Sequence, residues 1–347
     1  MKKTTPISLR PLLIKASVKF LKQEKMGCLT TQEGLPELIN HLLYYKEEGR
    51  PLFPEIYIFD SIDLIRKVLI NFQSCSIGNG PKTTETMIKA LKKCAPMTGN
   101  GWMIYILRKK TAFDYGVFRA GTSIISVTIT ETLLDDEANK LNAIVIRQVA
   151  EKLIEVKGVK ANTLLINYGN YEDIENSPTS NQHKFIETIV TNVDTKFKEP
   201  VTNFFRATFL EVLQKGHGAL ACTINYKTKS IAKKLIDGIE LSERINVLDT
   251  IAELLSKNDL LANSKLEGLY SLIIGMLNSD GITIFTDKGE LVAFNVFIKH
   301  SKKVIKTITN GGARMRTYLT LNEMIGKEIK SAYIQSQDGK IEYKNGK

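Results

Sequence analysis

The chain has few of the residues that build metal centres or disulfide frameworks. Its four cysteines (Cys28, Cys75, Cys94 and Cys222) are far apart and show no CxxC spacing. That spacing excludes a zinc ribbon and leaves free thiols in a reducing compartment as the expectation. The four histidines (His41, His183, His217 and His300) include no i,i+4 pair, so a His-based metal site would need distant segments. Long apolar runs are absent too. The basic start Met1-Lys2-Lys3 is followed only by Pro11 to Ile14 before Lys15 intervenes. No later run approaches the roughly 20 residues needed to cross a bilayer. A cytoplasmic protein with no membrane partner is expected.

What is present is an ordinary globular composition with a basic balance. Of 347 residues 43% are hydrophobic, which excludes a disordered polymer and suits two domains. The 48 Lys+Arg against 37 Asp+Glu give a net charge of +11. This excess is shared almost evenly: residues 1–200 carry 27 cations against 22 anions, residues 201–347 carry 21 against 15, and no basic tail exists. Locally the balance is uneven. From Leu291 to Asn322 there are Lys299, Lys302, Lys303, Lys306, Arg314 and Arg316 and no carboxylate, a positive patch suited to an anion.

Periodicity predicts helices through residues 1–50, a buried strand at Glu55–Phe59, and helices over about 61–72 and 82–93. Strands follow at Trp102–Ile106, Tyr115–Phe118 and Ser123–Val127, all rich in β-branched and aromatic residues. Ala143–Val149 and Thr163–Asn167 read as further strands, although 135–156 reads equally as a helix. Residues 170–182 look like a linker, which gives an N-terminal α/β domain over 1–180 and a second domain over 198–347. In the second, Pro200 opens a helix to Gln214. Strand Ala219–Asn225, helices near 245–256 and 265–277, and strands Ile282–Thr286 and Leu291–Val296 come next. A helix near 313–325 precedes strands Ser331–Ser336 and Lys340–Tyr343. The alternation predicts an α/β fold with a central mixed sheet flanked by helices.

Three turns of the second domain carry candidate chemistry. At Gly216-His217-Gly218-Ala219-Leu220 a helix gives way to a strand, and glycine lets a ligand approach the backbone. At Asn278-Ser279-Asp280-Gly281-Ile282 an Asp-Gly pair presents a carboxylate beside a bare amide. At Thr309-Asn310-Gly311-Gly312-Ala313-Arg314-Met315-Arg316 two glycines precede a helix start, a cradle of N–H groups with two guanidinium forks. Taken singly, the first two read more simply as a helix cap and an Asp-Gly turn. The third is harder to dismiss, because upstream lysines of the same sign argue for a shared anion.

In this order the turns resemble the diadenylate cyclase domain family, which has a His-Gly-Ala-Leu segment, an Asp-Gly-Ala motif, a Gly-Thr-Arg-His-Arg motif and a closing hairpin. The counterparts are His217–Leu220, Asp280–Ile282, Gly312–Arg316 with Leu319, Leu321 and Glu323, and Ile334–Ile341. Ile236–Leu241 is similar to a further Thr-Gly-Ile-x-Leu segment. The resemblance covers about 198–347 and implies a domain that binds ATP or an adenine dinucleotide at the edge of its sheet. Active members condense two ATP into cyclic di-AMP and pyrophosphate with Mg²⁺ or Mn²⁺, two domains meeting face to face, which implies a homo-oligomer. Carried over, Asp280 contacts the metal and activates the ribose 3′-hydroxyl, Gly281 lies against the nucleotide, and Arg314 and Arg316 hold phosphates. The implied nucleotide-binding set is Gly218, Ala219, Leu220, Asp280, Gly281, Ile282, Gly312, Ala313, Arg314, Arg316 and Ser336.

The departures fall on the chemistry. Ile282 replaces the motif alanine, Ala313 lacks the threonine hydroxyl, Met315 stands for the histidine and cannot donate a hydrogen bond, and Gln337 stands for a usual glutamate. Phosphate-holding arginines persist while reactive groups change. The expectation is a divergent, sensor-type nucleotide-binding protein responding to ATP, cyclic di-AMP or a related second messenger. A working cyclase is the alternative, because Asp280, Gly281, Arg314 and Arg316 survive. A basic nucleic-acid binder is a second alternative, disfavoured because no recognition helix or stacking motif is visible.

Overall fold

The computed structural model describes residues 9–134, 141–160, 162–168, 178–216, 218–228, 235–257, 260–300, 304, 312–336 and 339–346. It is an α/β protein whose chain divides into two compact units between residues 172 and 173, with Ile124–Ser126 grouped in the second. Among the described residues no helix is long and apolar enough to cross a membrane.

In the first unit, helices α1 (Leu9–Gln23) and α2 (Leu29–Leu43) precede a two-residue hairpin, β1 (Lys46–Glu47) and β2 (Arg50–Pro51). Then come β3 (Ile56–Phe59), α3 (Ile62–Val68), β4 (Gln73–Pro81), α4 (Thr84–Cys94), β5 (Met103–Arg108), β6 (Ala112–Arg119) and α5 (Ile129–Leu134). β7 (Ala143–Ala150), β8 (Leu153–Gly158) and β9 (Thr163–Asn167) complete a seven-stranded mixed sheet, ordered β4-β6-β5-β3-β7-β8-β9. Only β3 and β5 run parallel within it. Alternation along β3 sends Ile56 and Ile58 to the cluster with Leu21 of α1, Leu38 of α2 and Leu91 of α4. Tyr57 and Phe59 go to the other face, with Ile65 of α3 and Leu133 of α5. Each fully buried side chain of this size contributes about 1.5–3 kcal/mol.

In the second unit, α6 (Pro178–Ile189) and α7 (Thr195–Gln214) lead to β10 (Ala219–Ile224) and β11 (Leu235–Asn246). α8 (Val247–Lys257), α9 (Leu260–Leu277), β12 (Ile282–Thr286) and β13 (Glu290–Ile298) follow, and α10 (Ala313–Met324), β14 (Ser331–Gln335) and β15 (Ile341–Asn345) close the chain. The sheet runs β11-β13-β12-β10-β14-β15, with β10 and β12 parallel at its centre and every other pair antiparallel. On one face Leu220, Ile282, Val296 and Ile334 pack under Tyr318 and Leu321 of α10. On the other, Phe185 of α6 stacks on Tyr333 at 4.8 Å, while Phe205 and Phe209 of α7 meet Phe285 edge-on or tilted.

Several sequence expectations are corrected. Ser123–Val127 is not a strand: Ile125 turns into the core and its carbonyl accepts from Asn203 Nδ2 at 3.2 Å instead of a ladder partner, while Val127 is left exposed. The part of the linker-like stretch from Pro178 onward is helix α6, whose Phe185 is fully buried. Between 143 and 158 the chain forms the hairpin β7–β8, not a helix. Pro200 lies inside α7 rather than in its first turn, because Asp194 caps the helix earlier by accepting from Lys196 N. β4 and β11 are strands that sequence reading missed. Both are edge strands with mostly exposed or half-exposed residues, so they carry little hydrophobic alternation.

Burial separates the thiols into two classes. It pushes Cys94 and Cys222 up to about 12. Burial acts the same way on Cys28, but hydrogen bonds at Thr31 and the positive charge of Lys82 and Arg108 outweigh it and hold this thiol below its ordinary value. Because the thiolate is the nucleophile, Ellman's reagent should modify exposed Cys75 and half-buried Cys28 quickly in the native protein, and all four thiols only after denaturation. Rapid native labelling of all four would contradict this packing.

Candidate functional site

The strand register of the second unit brings separated turns to one end of its sheet. Ala221 of β10 pairs with Thr283 of parallel β12, which sets Ala219 level with Gly281. Ala219 pairs on its other side with Gln335, the last residue of β14, and Ile282 pairs with Val296 near the end of β13. Gly218, Asp280-Gly281 and Ser336 therefore stand in one row across three neighbouring strands.

Two glycines make close approaches in this row. A Cβ at Gly218 would lie 2.6 Å from Nη1 of Arg314 and 2.9 Å from the carbonyl oxygen of Gln335, so the guanidinium is seated against bare backbone. Gly281 has φ +85°, and a Cβ there would come within 2.8 Å of Asn295 C and Val296 N. Backbone atoms cannot swing aside, so this position requires glycine twice over.

Arg314 stands in the first turn of α10, after the N-cap Gly312. Gly312 is exposed, and its carbonyl accepts from Met315 N and Arg316 N, while the amides ahead of them have no partner within the helix. Partial positive charge at this terminus adds to the guanidinium. Arg314 Nη2 lies 3.4 Å from Oδ1 of Asp280, which is 83% exposed. Arg316 is also exposed and forms no ion pair among the described residues. The arrangement offers the Arg314 guanidinium and helix amides to an anion, next to one carboxylate, with Arg316 two positions further along the helix.

The other sequence-derived positions fall into two groups. Ala219, Leu220 and Ile282 are buried in the sheet and can offer a ligand only backbone. Ser336 shapes the β14–β15 turn: its Oγ donates to Lys340 O at 3.0 Å and accepts from Lys340 N at 3.1 Å. Ala313 is an exposed first-turn residue of α10. His217, Lys302, Lys303, Lys306, residues 309–311, Gln337 and Asp338 lie outside the described residues.

Sequence reading passed over Phe297 at this end and gave no role to the side chains of Ile239 and Asn278. Phe297 of β13, the strand next to that of Gly281, is 42% exposed, and Ile239 of β11, one strand further out, is 50% exposed. The signal available was Phe297 itself, alternating out of phase with buried Val296 and Ile298. Asn278, two residues before Asp280, has a buried side-chain oxygen with no partner.

A divalent cation fits these residues poorly. Among the described residues no group of three His, Cys, Asp or Glu is placed to hold a metal, and the one carboxylate of the row already faces Arg314. Magnesium bound by a single side chain depends on phosphate oxygens for most of its shell. A surface depression lined by Lys196, Phe197, Ala252, Glu253, Leu255 and Ser256 lies by the start of α7 and along α8. That is the opposite end of the sheet, so it is not part of this row. No family model, curated protein or solved structure matches the chain.

Proposed function

We propose that the second unit binds a nucleotide through its phosphates, as a divergent relative of the diadenylate cyclase domain that senses ATP, cyclic di-AMP or a related nucleotide. The observation that carries this reading is the seating of Arg314 on Gly218, beside Asp280-Gly281 and the open N-terminus of α10. A guanidinium placed over bare backbone at a helix N-terminus is a compact receptor for phosphate oxygens.

Binding is favoured over turnover. Asp280 faces an arginine and belongs to no group of three His, Cys, Asp or Glu among the described residues, Met315 cannot move a proton, and no step is assigned to a metal. Thermal melts of the purified chain with ATP, cyclic di-AMP and other nucleotides test the reading. At 100-fold excess over Kd a specific ligand adds about 2.7 kcal/mol, an upward shift of several degrees. A flat response to every nucleotide would defeat it. Incubation with ATP and Mn²⁺ that yields cyclic di-AMP, and fails in Asp280→Asn, would replace the sensor with a working cyclase.

A further inference from the structure

The face of α1 turned away from the core carries lysines at helical spacing. Leu13, Ser17, Phe20 and Leu21 are buried, while Lys15, Lys19 and Lys22 are exposed. At 100° per residue these three project close to the direction opposite the core. Lys25 continues the series in the turn after the helix. Lys160 comes near it, since the Lys160 amide donates to Glu24, the residue before Lys25, at 2.9 Å. None of these five lysines has an ion pair among the described residues.

The nearby carboxylates are largely committed elsewhere. α1 contains none. Glu24 is fully buried and accepts from Lys160 N, Asn162 N and Asn162 Nδ2. On α2, which packs against α1, Glu37 is tied to Arg10 at 2.7 Å and Glu33 is exposed. The stripe is thus a concentrated positive field without counter-charge on its own helix.

We infer that this face of α1 docks on the phosphate backbone of a nucleic acid, independently of base sequence. Lys15 to Lys22 span about 10 Å along the axis, close to the rise of three phosphates on one strand of a duplex. Lysine lacks the fork geometry of bidentate base readout, so the contact is electrostatic. A membrane surface is the weaker fit. An interfacial helix buries its apolar face in lipid, whereas Leu13, Phe20 and Leu21 of α1 pack with Leu38 and Ile58 in the core and leave Leu12 and Ile14 as its exposed large apolar residues.

The test is fluorescence anisotropy of a short mixed-sequence DNA duplex with the full chain, titrated between about 50 and 200 mM salt. Replacing Lys15, Lys19 and Lys22 together by Gln should weaken binding and reduce the slope of log K against log salt by about 2.7. Replacement by Arg should restore both, and circular dichroism of each variant checks that α1 is folded. An unchanged slope in the Gln variant would overturn the inference. So would an absence of duplex binding, or sedimentation of the chain with phosphatidylserine–phosphatidylcholine vesicles when the duplex is not bound.

Discussion

Arg314→Ala is expected to abolish most of the nucleotide-dependent thermal shift and to weaken phosphate binding about 10- to 100-fold. A hydrogen bond to a charged group contributes about 1.5–3 kcal/mol, and 1.4 kcal/mol is a factor of ten. The unliganded protein should lose little. The Arg314–Asp280 contact is 3.4 Å long and solvent-exposed, a class of pair that contributes about 0–1 kcal/mol. Arg316→Ala should have a smaller effect, since Arg316 is not seated against the strand ends as Arg314 is against Gly218. Isothermal calorimetry with the stabilising nucleotide separates the two variants. Equal affinity for wild type and Arg314→Ala would remove Arg314 from the site and with it the reading of the second unit.

The largest effect on stability is expected at the other end of the same sheet. Asp287, in the turn between β12 and β13, is fully buried. One carboxylate oxygen accepts from Tyr226 N at 2.8 Å, and the other from Asn192 Nδ2 at 2.7 Å and from Lys330 Nζ. The carboxylate thus ties together the α6–α7 connection, the end of β10 and the residue before β14. Asp287→Ala would strand these donors, and breaking a buried pair in this way costs about 3–5 kcal/mol. Lys330 is 37% exposed and can turn to solvent, which places the expected loss near the lower figure. At roughly 2–4 °C per kcal/mol for a unit of this size, the melting midpoint should fall by about 10 °C. Asp287→Asn should fall less, because it keeps an acceptor for Tyr226. A midpoint for Asp287→Ala within about 2 °C of wild type would show that this network does not hold the unit together.

The central elements were legible because their signals are local. Strands β3, β5 and β12 are short runs rich in β-branched and aromatic residues, and β10 is a short apolar run, each bounded by turn residues. α4 carries its caps in sequence, with Thr83 ahead of it accepting from Thr86 N. The edges were not legible. Gln73–Pro81 contains two glycines and a proline and becomes a strand only because β6 offers a ladder to pair with. At the candidate site the glycines and arginines could be picked out as residue types, but their meeting depends on the parallel register of β10 and β12 and on where α10 begins. The lysine face of α1 was hidden for a different reason. Counting charge by halves averages it against acidic residues elsewhere, and only burial separates the buried Glu24 from the exposed cations.

The parallel pairing of β10 with β12 also bears on how the chain reaches its native state. β10 lies at the centre of its sheet, yet one neighbour is supplied only after β11, α8 and α9 have been made and the other only after α10. Non-local pairing of this kind must overcome loop-closure entropy before any ladder bond compensates for it. On the ribosome, Ala219–Ile224 emerges as an apolar strand with both edges open and must wait for Ile282–Thr286 and Ser331–Gln335. Fragments ending before β12 would therefore expose an unpaired central strand and aggregate, whereas the first unit, whose strands pair entirely within residues 46–167, can close before the second is synthesised.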